Sequence, residues 1–182
     1  EMPLESLGIQ TSNSVLHFGG PLVLHAGDEA KVLDLCFEAS LSVAELERAT
    51  HLTTTAERLL TVENRKTTFL QLVRADAARS TLIVATSFPT RAVRLLLEKL
   101  PRELPHHHFG DTDAAGWDIL RRLREVSGRA VRPFQMRWRS KTDALPLTQR
   151  DHQILTRLLS DPSMADCYAE LRAMHQAGTK GD

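Results

Sequence analysis

Hydrophobic residues in the middle of the chain alternate between strand-like and helix-like spacing. The predicted strands are Leu59–Val62, Thr81–Thr86, His106–Gly110 and Ala130–Trp138. The apolar stripes of the intervening helices are Phe69-Leu72-Val73, Val93-Leu96-Leu97-Leu100 and Trp117-Leu120-Leu123-Val126. Thr81–Thr86 is apolar on both faces, which is typical of a strand buried in a parallel sheet. Strands and helices that alternate with short connections predict an α/β fold, with a parallel sheet of about four strands flanked by helices.

The segments on either side of this core are less regular. Before it, Pro21–Leu24 predicts a short strand, and Asp28 is expected to cap a helix through about Phe37, which would bury Val32, Leu33, Leu35 and Cys36. Ser42 and Glu45 have the spacing of a capping box, which predicts a short helix to Ala49. The domain boundaries that we expect are a lead-in over residues 1–57, a core over 58–140 and a helical extension over 141–182.

The C-terminal extension predicts two helices. Thr148 is placed to cap the first, and Asp161-Pro162 is expected to end it. The second covers about Ser163–His175 and buries Met164, Cys167, Leu171 and Met174. The polar residues of Gly178–Asp182 predict a frayed tail.

The composition of the chain indicates its cellular compartment but says little about its activity. The 182 residues are 42% hydrophobic and 25% charged, with zero formal net charge, which suits one sizeable core. No apolar run is long enough to cross a membrane and no signal peptide is visible, so we expect a cytoplasmic protein that does not bind membranes. Cys36 and Cys167 lack metal-type spacing, which favours reduced, buried thiols. The first residue is Glu1, which indicates an excised fragment.

Acidic residues follow two of the predicted strands. Asp111 and Asp113 come directly after the third strand, and their i, i+2 spacing points both carboxylates the same way. Close like charges raise each other's pKa, and a hard divalent ion such as Mg²⁺ relieves the repulsion. Glu63 ends the first strand, and ligands of parallel sheets bind at the carboxyl ends of strands. If the two strands are neighbours, three carboxylates converge on a metal; otherwise the aspartates form only a turn and a helix N-cap.

Basic and histidine residues surround these acids in sequence. Arg65 and Lys66 are candidates for phosphate binding, or else lie in a solvated loop. Arg137 and Arg139 alternate with aromatic residues, which suits either a surface that follows a nucleic-acid backbone or a solvated sheet edge. Gly110 and Gly116 are expected to allow close backbone approach at the turn. The His106–His108 run is a weak zinc candidate, because alternate strand residues face opposite ways, and we expect these side chains to pack.

Two sequence motifs carry a family resemblance. Val62-Glu63-Asn64 with Thr68-Phe69-Leu70 resembles the V-E-N and T-F-L motif of JetD-like proteins. The stretch from Phe109 to Leu120 resembles that family's G-D-I-D-x-x-G-F-x-I-L motif. These proteins are the nuclease subunit of Wadjet plasmid-defence systems, called MksG in the condensin-like Mks systems, and they contain a Toprim domain related to the topoisomerase VI A subunit. The similarity covers about residues 20 to 160.

The resemblance implies an activity and its partners. It implies a Toprim homodimer that cleaves DNA with Mg²⁺ or Mn²⁺ held by Glu63, Asp111 and Asp113, together with a condensin-like SMC–kleisin complex. The sequence departs from the family at two places: Arg137 follows Met136 where the family has an acid, and Met174–Gly178 contains no acidic residue. A second metal position is therefore expected to be weakened or lost. Tyr168 is the only tyrosine and is expected to pack, which favours hydrolysis by activated water.

Two other functions fit the same motifs. One is a non-catalytic Toprim module that binds DNA or a partner subunit, which the missing fourth-strand acid favours. The other is a phosphotransfer enzyme such as a phosphatase. That class usually places a nucleophilic aspartate after the first strand, whereas this chain has Glu63 there.

Overall fold

The computed structural model describes residues 15–139 and 143–181 of the chain, except for the side chains of residues 35 and 36. The predicted α/β class is confirmed, since a multi-strand sheet with parallel pairs is flanked by helices, consistent with a Toprim-like fold. The chain divides into two compact units, the first ending at His106 and the second starting at His107. The predicted domain boundaries at residues 57 and 140 stay a prediction.

The first unit contains a mixed sheet. Its strands are β1 (Val15–Ala26), β2 (Glu29–Ser42), β3 (His51–Thr53), β4 (Arg58–Val62) and β5 (Thr81–Ala85). Four of them lie in the order β2-β1-β5-β4, and β3 also pairs with β1. The pairing of β4 with β5 is parallel, whereas β1 is antiparallel to β2, β3 and β5. The helical segments are α1 (Val43–Arg48), a π-helical turn (Arg65–Phe69), α2 (Leu70–Ala75) and α3 (Arg91–Lys99).

The predicted helix over Asp28–Phe37 is wrong, because these residues begin β2. Gly27, with φ of 61°, and Asp28 form the tight turn between the paired residues Ala26 and Glu29. The antiparallel ladder with β1 then satisfies the backbone, and Val32, which we expected in the core, is 68% exposed. Cross-strand pairing has overridden a local helical pattern. The predicted burial of Leu35 and Cys36 lies outside the described side chains.

Most other elements of the first unit are confirmed. Ser42 and Glu45 form the capping box that begins α1. Leu82 and Val84 of β5 are fully buried, as expected of a central strand. Thr90 caps α3, whose buried stripe includes the predicted leucines. Glu63 directly follows β4, so the structure places it at the carboxyl end of a parallel strand.

The second unit begins within a short strand and is otherwise mainly helical. Its elements are β6 (His106–Phe109), α4 (Ala114–Ser127), β7 (Arg132–Pro133), α5 (Gln149–Leu159), a 3-10 helix (Pro162–Cys167) and α6 (Tyr168–Ala177). β7 pairs in parallel with β6 but has two residues, far fewer than the predicted Ala130–Trp138. Gln135, with φ of 60°, ends the extended conformation, and Pro133 has no amide hydrogen for a ladder.

Helix α4 follows most of its predicted pattern, although Val126 is only half-buried. Trp117, Leu120 and Leu123 are buried, and Gly128 ends the helix in the left-handed conformation with φ of 61°. Arg121 also lies on the buried side, where it is 9% exposed and donates to Asp118 at 2.9 Å. An arginine whose charge is matched by an adjacent acid is therefore accommodated on a buried surface.

The C-terminal helices agree with the sequence, whereas the tail does not. Thr148 caps α5, and the four predicted apolar residues from Met164 to Met174 are buried. The predicted frayed tail is wrong for residues 178–181, because Leu147 N donates to Gly178 O and Lys180 N donates to Leu145 O, both at 2.8 Å. Asp182 lies outside the described residues. Within the described ranges, no helix has the length and apolarity that crossing a membrane requires.

Candidate metal centre

The two candidate aspartates lie in the loop between β6 and α4. We call residues Gly110–Asp113 the acidic turn. Asp113 is the N-cap of α4, and its carboxylate oxygen accepts a hydrogen bond from Gly116 N at 2.9 Å. The cap fixes the Asp113 carboxylate at the start of the helix, where the backbone dipole also favours a negative charge. Asp113 is half-buried, while Asp111 is exposed.

Gly116 makes the acidic turn sterically possible. A Cβ atom added to it would lie 2.1 Å from the carbonyl oxygen of Asp111, which is far inside van der Waals contact. The first turn of α4 therefore packs directly on the backbone of the acidic turn. Gly110, at the other end of the turn, is buried. Glycine at residue 116 thus has a structural reason that the sequence alone only suggested.

The negative charge of Asp113 acts on the Asp111 carboxylate. The pKa of Asp111 is raised above its usual value, first because the surrounding protein partly removes the carboxylate from water, and second because of the negative charge of Asp113. Both effects disfavour the ionised form of Asp111. A cation placed between the two groups would reverse that penalty.

The chemistry of these donors suits a hard divalent ion. Mg²⁺ prefers carboxylate and water oxygens, and proteins commonly hold it through one or two carboxylates together with substrate phosphates. Within residues 15–139 and 143–181, no group of three or more His, Cys, Asp or Glu side chains is arranged to hold a metal. The acidic turn therefore fits a metal that keeps several waters or phosphate ligands better than an all-protein cage.

Glu63, the third predicted ligand, belongs to the first unit. It is half-buried after β4, and it precedes Asn64, which caps the following π-helical turn. The Asn64 side chain accepts from Thr67 N at 3.2 Å and from Thr67 Oγ1 at 2.8 Å. These bonds order the backbone immediately after Glu63. Its convergence with the two aspartates stays a prediction.

The predicted phosphate-binding residues near Glu63 have different environments. Arg65 forms an ion pair with Glu38 of β2, with 2.6 Å between its terminal nitrogen and the carboxylate. Glu38 also contacts His17 at 3.0 Å, so the guanidinium of Arg65 belongs to a local charge network. Lys66 is exposed. Of the two, Lys66 is the more accessible to a phosphate group.

The segment after β7 keeps the predicted alternation without forming a long strand. Arg137 and Arg139 are exposed, whereas Met136 is buried and Trp138 is half-buried. Trp138 N donates to the Glu170 carboxylate at 2.7 Å, which ties the segment to α6. The two arginines therefore stand on an anchored backbone.

Aromatic contacts anchor the beginning of the same segment. Phe134 is 37% exposed, and its ring meets the Phe109 ring edge-on with 5.9 Å between centroids. The ring is thus held against β6 while part of it faces solvent. Such a half-exposed aromatic residue beside arginines is a feature of surfaces that bind nucleic-acid strands.

The histidine run packs in the protein interior. His106 and His108 are 3% and 0% exposed, and His106 Nε2 lies 3.1 Å from the hydroxyl of Thr61. Tyr168 also has a structural contact, since its hydroxyl donates to Asp161 O at 2.9 Å. The packing interpretation accounts for these residues.

Two features of the second unit escaped the sequence reasoning. The first is a network of ion pairs along α4, where Asp118 binds Arg121 and Arg157 at 2.9 and 2.8 Å and Arg124 binds Asp166 at 2.8 Å. Its local signals were the i, i+3 spacing of Asp118 and Arg121 and the i, i+4 spacing of Arg121 and Glu125. The second is a hydrogen bond of 2.9 Å from Gly181 N to Thr112 O, within the acidic turn. No sequence signal indicated that contact.

A cavity of about 630 Å³ lies beside the ion-pair network. Its charged lining residues are Arg121, Arg124, Arg129, Arg132, Glu125, Asp161 and Asp166. Positive and negative side chains are interleaved around it, and several of them bind one another directly. The cavity is therefore a poor candidate for a strongly selective anion site.

Comparison with known proteins supports the resemblance carried by the two motifs. No curated protein matches the sequence. A family model described as "Wadjet protein JetD, C-terminal" matches residues 16–178, which include both candidate aspartates, Glu63 and the basic residues. Because the match covers most of the 182 residues, the chain belongs to the Wadjet protein JetD, C-terminal family.

Proposed function

We propose that this chain is the nuclease part of a Wadjet JetD subunit and that it hydrolyses DNA with a divalent metal ion. The observation that carries this proposal is the acidic turn, where Asp111 and Asp113 are close enough for the charge of one to raise the pKa of the other. The Asp113 carboxylate caps α4, whereas burial and the charge of Asp113 disfavour the ionised form of Asp111, and a bound cation would offset that penalty. A role in binding a cation would account for this arrangement of the two aspartates.

The residues have separable roles in this proposal. Asp111 and Asp113 would hold Mg²⁺ or Mn²⁺, which polarises the scissile phosphate and stabilises the leaving oxygen when bound. The cap to Gly116 orients Asp113, while exposed Asp111 can reach a ligand. Glu63 would complete the ligand set or accept the proton of the attacking water. Tyr168 donates to a backbone oxygen, which favours water over tyrosine as the nucleophile.

The DNA backbone would be bound by exposed basic residues. Lys66, Arg137 and Arg139 are exposed, and part of the Phe134 ring, in the same segment as the two arginines, also faces solvent. Arg65 would contribute only by exchanging its ion pair with Glu38 for a phosphate. Contacts of this type bind without reading base sequence and weaken with salt.

The proposed partners come from the family. We propose that the chain acts in the cytoplasm as a homodimer, together with a condensin-like SMC–kleisin complex that presents DNA to it. Membership of the Wadjet JetD family supports action beside other Wadjet proteins. On this proposal, cleavage by the isolated chain is slower than cleavage in the complex.

A second candidate function is a non-catalytic module that binds DNA or a partner subunit. The observation that favours it is Arg137, which stands after Met136 where an acid would supply another metal ligand. In that case the acidic turn holds one structural ion. The isolated chain would then bind Mn²⁺ or DNA but would not cut.

Cleavage of supercoiled plasmid tests the two candidates. The wild-type chain and an Asp111→Asn, Asp113→Asn double variant are compared with Mg²⁺ or Mn²⁺, alone and with partner subunits. Asparagine preserves the N-cap of α4, so the double variant removes charge while it keeps the fold. Asp143→Asn is the matched control, because it removes an exposed acid of the same unit.

Nicking by the wild type and by Asp143→Asn, but not by the double variant, is the expected result. Equal nicking by the double variant would show a contaminant or another site and would remove these aspartates from the reaction. If no protein nicks DNA even with partners present, Mn²⁺ titration by calorimetry separates the candidates. Mn²⁺ binding that requires both aspartates then supports the non-catalytic module.

A further inference from the structure

The last described residues of the chain are held in place from several directions. We call residues Gly178–Gly181 the C-terminal tail. Gly178 ends α6 in the left-handed conformation with φ of 68°, which turns the chain back along residues 145–147. Leu147 N donates to Gly178 O and Lys180 N donates to Leu145 O, both at 2.8 Å. These two bonds give the tail a strand-like course.

Side chains from two other segments fix the tail further. The indole nitrogen of Trp138 donates to Thr179 O at 3.2 Å. The ammonium group of Lys180 lies 3.6 Å from the Asp151 carboxylate, which accepts from Thr148 N and so completes the capping box of α5. The tail is thus bonded to the segment that carries the exposed arginines and to a helix of the same unit.

The tail contacts the acidic turn at Thr112, the residue between the two aspartates. Gly181 N donates to Thr112 O at 2.9 Å. A Cβ atom added to Gly181 would lie 2.4 Å from that oxygen and 2.6 Å from the Thr112 hydroxyl, so only glycine fits this contact without movement. Thr112 itself is 5% exposed, so the contact is made on a buried residue.

Two glycines therefore hold two successive carbonyl groups of the acidic turn. Gly116 packs on the carbonyl of Asp111, and Gly181 packs on the carbonyl of Thr112. The peptide units that these carbonyls belong to lie between Asp111 and Asp113, so they set the relative orientation of the two carboxylates. Fixing ligand orientation from outside the ligand set is a common determinant of metal affinity.

We propose that the C-terminal tail positions the acidic turn, with Gly181 as the positioning residue. The consequence for metal binding rests on the proposed function of Asp111 and Asp113. The tail links the turn to Trp138 and hence to the arginine-bearing segment. Because coupling between two sites is reciprocal, a cation on the acidic turn also strengthens docking of the tail.

Substitution of Gly181 tests this proposal in the full chain. Gly181→Ala inserts a methyl group against Thr112, and Gly181→Pro also removes the donated amide hydrogen. Lys180→Ala is the matched control, because it changes the adjacent tail residue and loses the Asp151 contact while it keeps the bond to Thr112. The measurements are Mn²⁺ affinity by calorimetry, the thermal midpoint, and amide hydrogen exchange at Gly116 and Gly181.

The expected result is Mn²⁺ affinity about tenfold weaker in both Gly181 variants, comparable to the loss of one well-formed hydrogen bond, with Lys180→Ala close to wild type. Exchange at Gly116, whose amide is held by Asp113, should be faster in the Gly181 variants at an unchanged thermal midpoint. In the wild type, Mn²⁺ should slow exchange at Gly181.

Failure of this proposal and failure of the proposed function give different results. If the wild type binds Mn²⁺ through the two aspartates and both Gly181 variants bind equally well, the tail has no positioning role. If the wild type does not bind Mn²⁺, the proposed metal function is wrong. The positioning role of the tail is then tested by amide hydrogen exchange at Gly116 alone. Unchanged exchange in the Gly181 variants would overturn the positioning role, whereas faster exchange would support it.

Discussion

Acidic side chains have opposite electrostatic environments along helix α4. Near its middle and C-terminus, Asp118 is 5% exposed and bound by Arg121 and Arg157, and Asp166 binds Arg124. Arg124 holds the pKa of Asp166 below its usual value. At the N-terminus, burial and the charge of Asp113 raise the pKa of Asp111. One end matches acids with arginines, whereas the other places two acids together.

This difference separates structural from functional charges. An arginine stabilises the ionised form of the acid to which it is bonded. Removal of that acid leaves the arginine without its counter-charge. At the other end, burial and the charge of Asp113 disfavour the ionised form of Asp111, so neutralising Asp111 relieves that penalty. Above the usual aspartate pKa range, neutralising the acid should therefore raise stability at Asp111 and lower it at Asp166.

The largest effect on stability is expected for Gly116→Ala. A helix-interior glycine normally gains up to about 1 kcal/mol from alanine. Here the added Cβ would lie 2.1 Å from Asp111 O, so the variant should lose about 2 to 3 kcal/mol instead. Urea unfolding measures the free energy. A gain in stability would show that the acidic turn does not pack on α4 as described.

The next effect is expected for Arg124→Ala. Arg124 donates to Val131 O at 2.8 Å and makes two bonds of 2.8 Å to the Asp166 carboxylate, so its loss should destabilise the chain by about 2 kcal/mol. Arg122→Ala is the control, because its pair with Glu125 is exposed to solvent and should contribute little to stability. Equal unfolding free energies for the two variants would mean that the network near Arg124 is not structural.

A smaller effect should separate the two roles of Asp113. Asp113→Ala removes the cap to Gly116 and should cost about 1 kcal/mol, whereas Asp113→Asn keeps a good N-cap and should be near wild type in stability. Both variants should lose Mn²⁺ affinity, because both lose the charge. Calorimetric binding and thermal unfolding measured on the same samples check this. Retained Mn²⁺ affinity in Asp113→Asn would leave Asp113 with a capping role alone.

The parts of the fold that the sequence predicted depend on local chemistry. Ser42 and Thr148 cap their helices, because each capping motif satisfies backbone groups within a few residues. Residues 29–37 have apolar spacing compatible with a helix, but their partner is β1, and pairing along a hairpin decided the conformation. A local pattern contains no information about that ladder.

The candidate site shows the same division. The positions of Asp111 and Asp113 after a strand and before a helix were predictable, as was the N-cap. The contact of Gly181 with Thr112 joins residues far apart in sequence, and no spacing rule connects them. The arginine pairs of α4 were missed for a related reason, since amphipathic patterning assigns every arginine to the solvent side.

The smallest effect is expected from pH, and its sign distinguishes the two ends of α4. With chelator present, the folded-state pKa of Asp111 lies above the unfolded value, so its contribution to stability is present below the unfolded pKa and is lost as pH rises through the folded pKa. Asp111→Asn should therefore become stabilising relative to wild type as pH rises above the usual aspartate range.

Asp166 has a lowered pKa, so its contribution is present above the unfolded pKa and is lost as pH falls. Asp166→Asn should thus be destabilising at neutral pH, and its difference from wild type should shrink in acid. Urea unfolding from pH 3 to pH 8 measures both differences, and curves of the same sign would mean that Asp111 is stabilised by its surroundings without a metal.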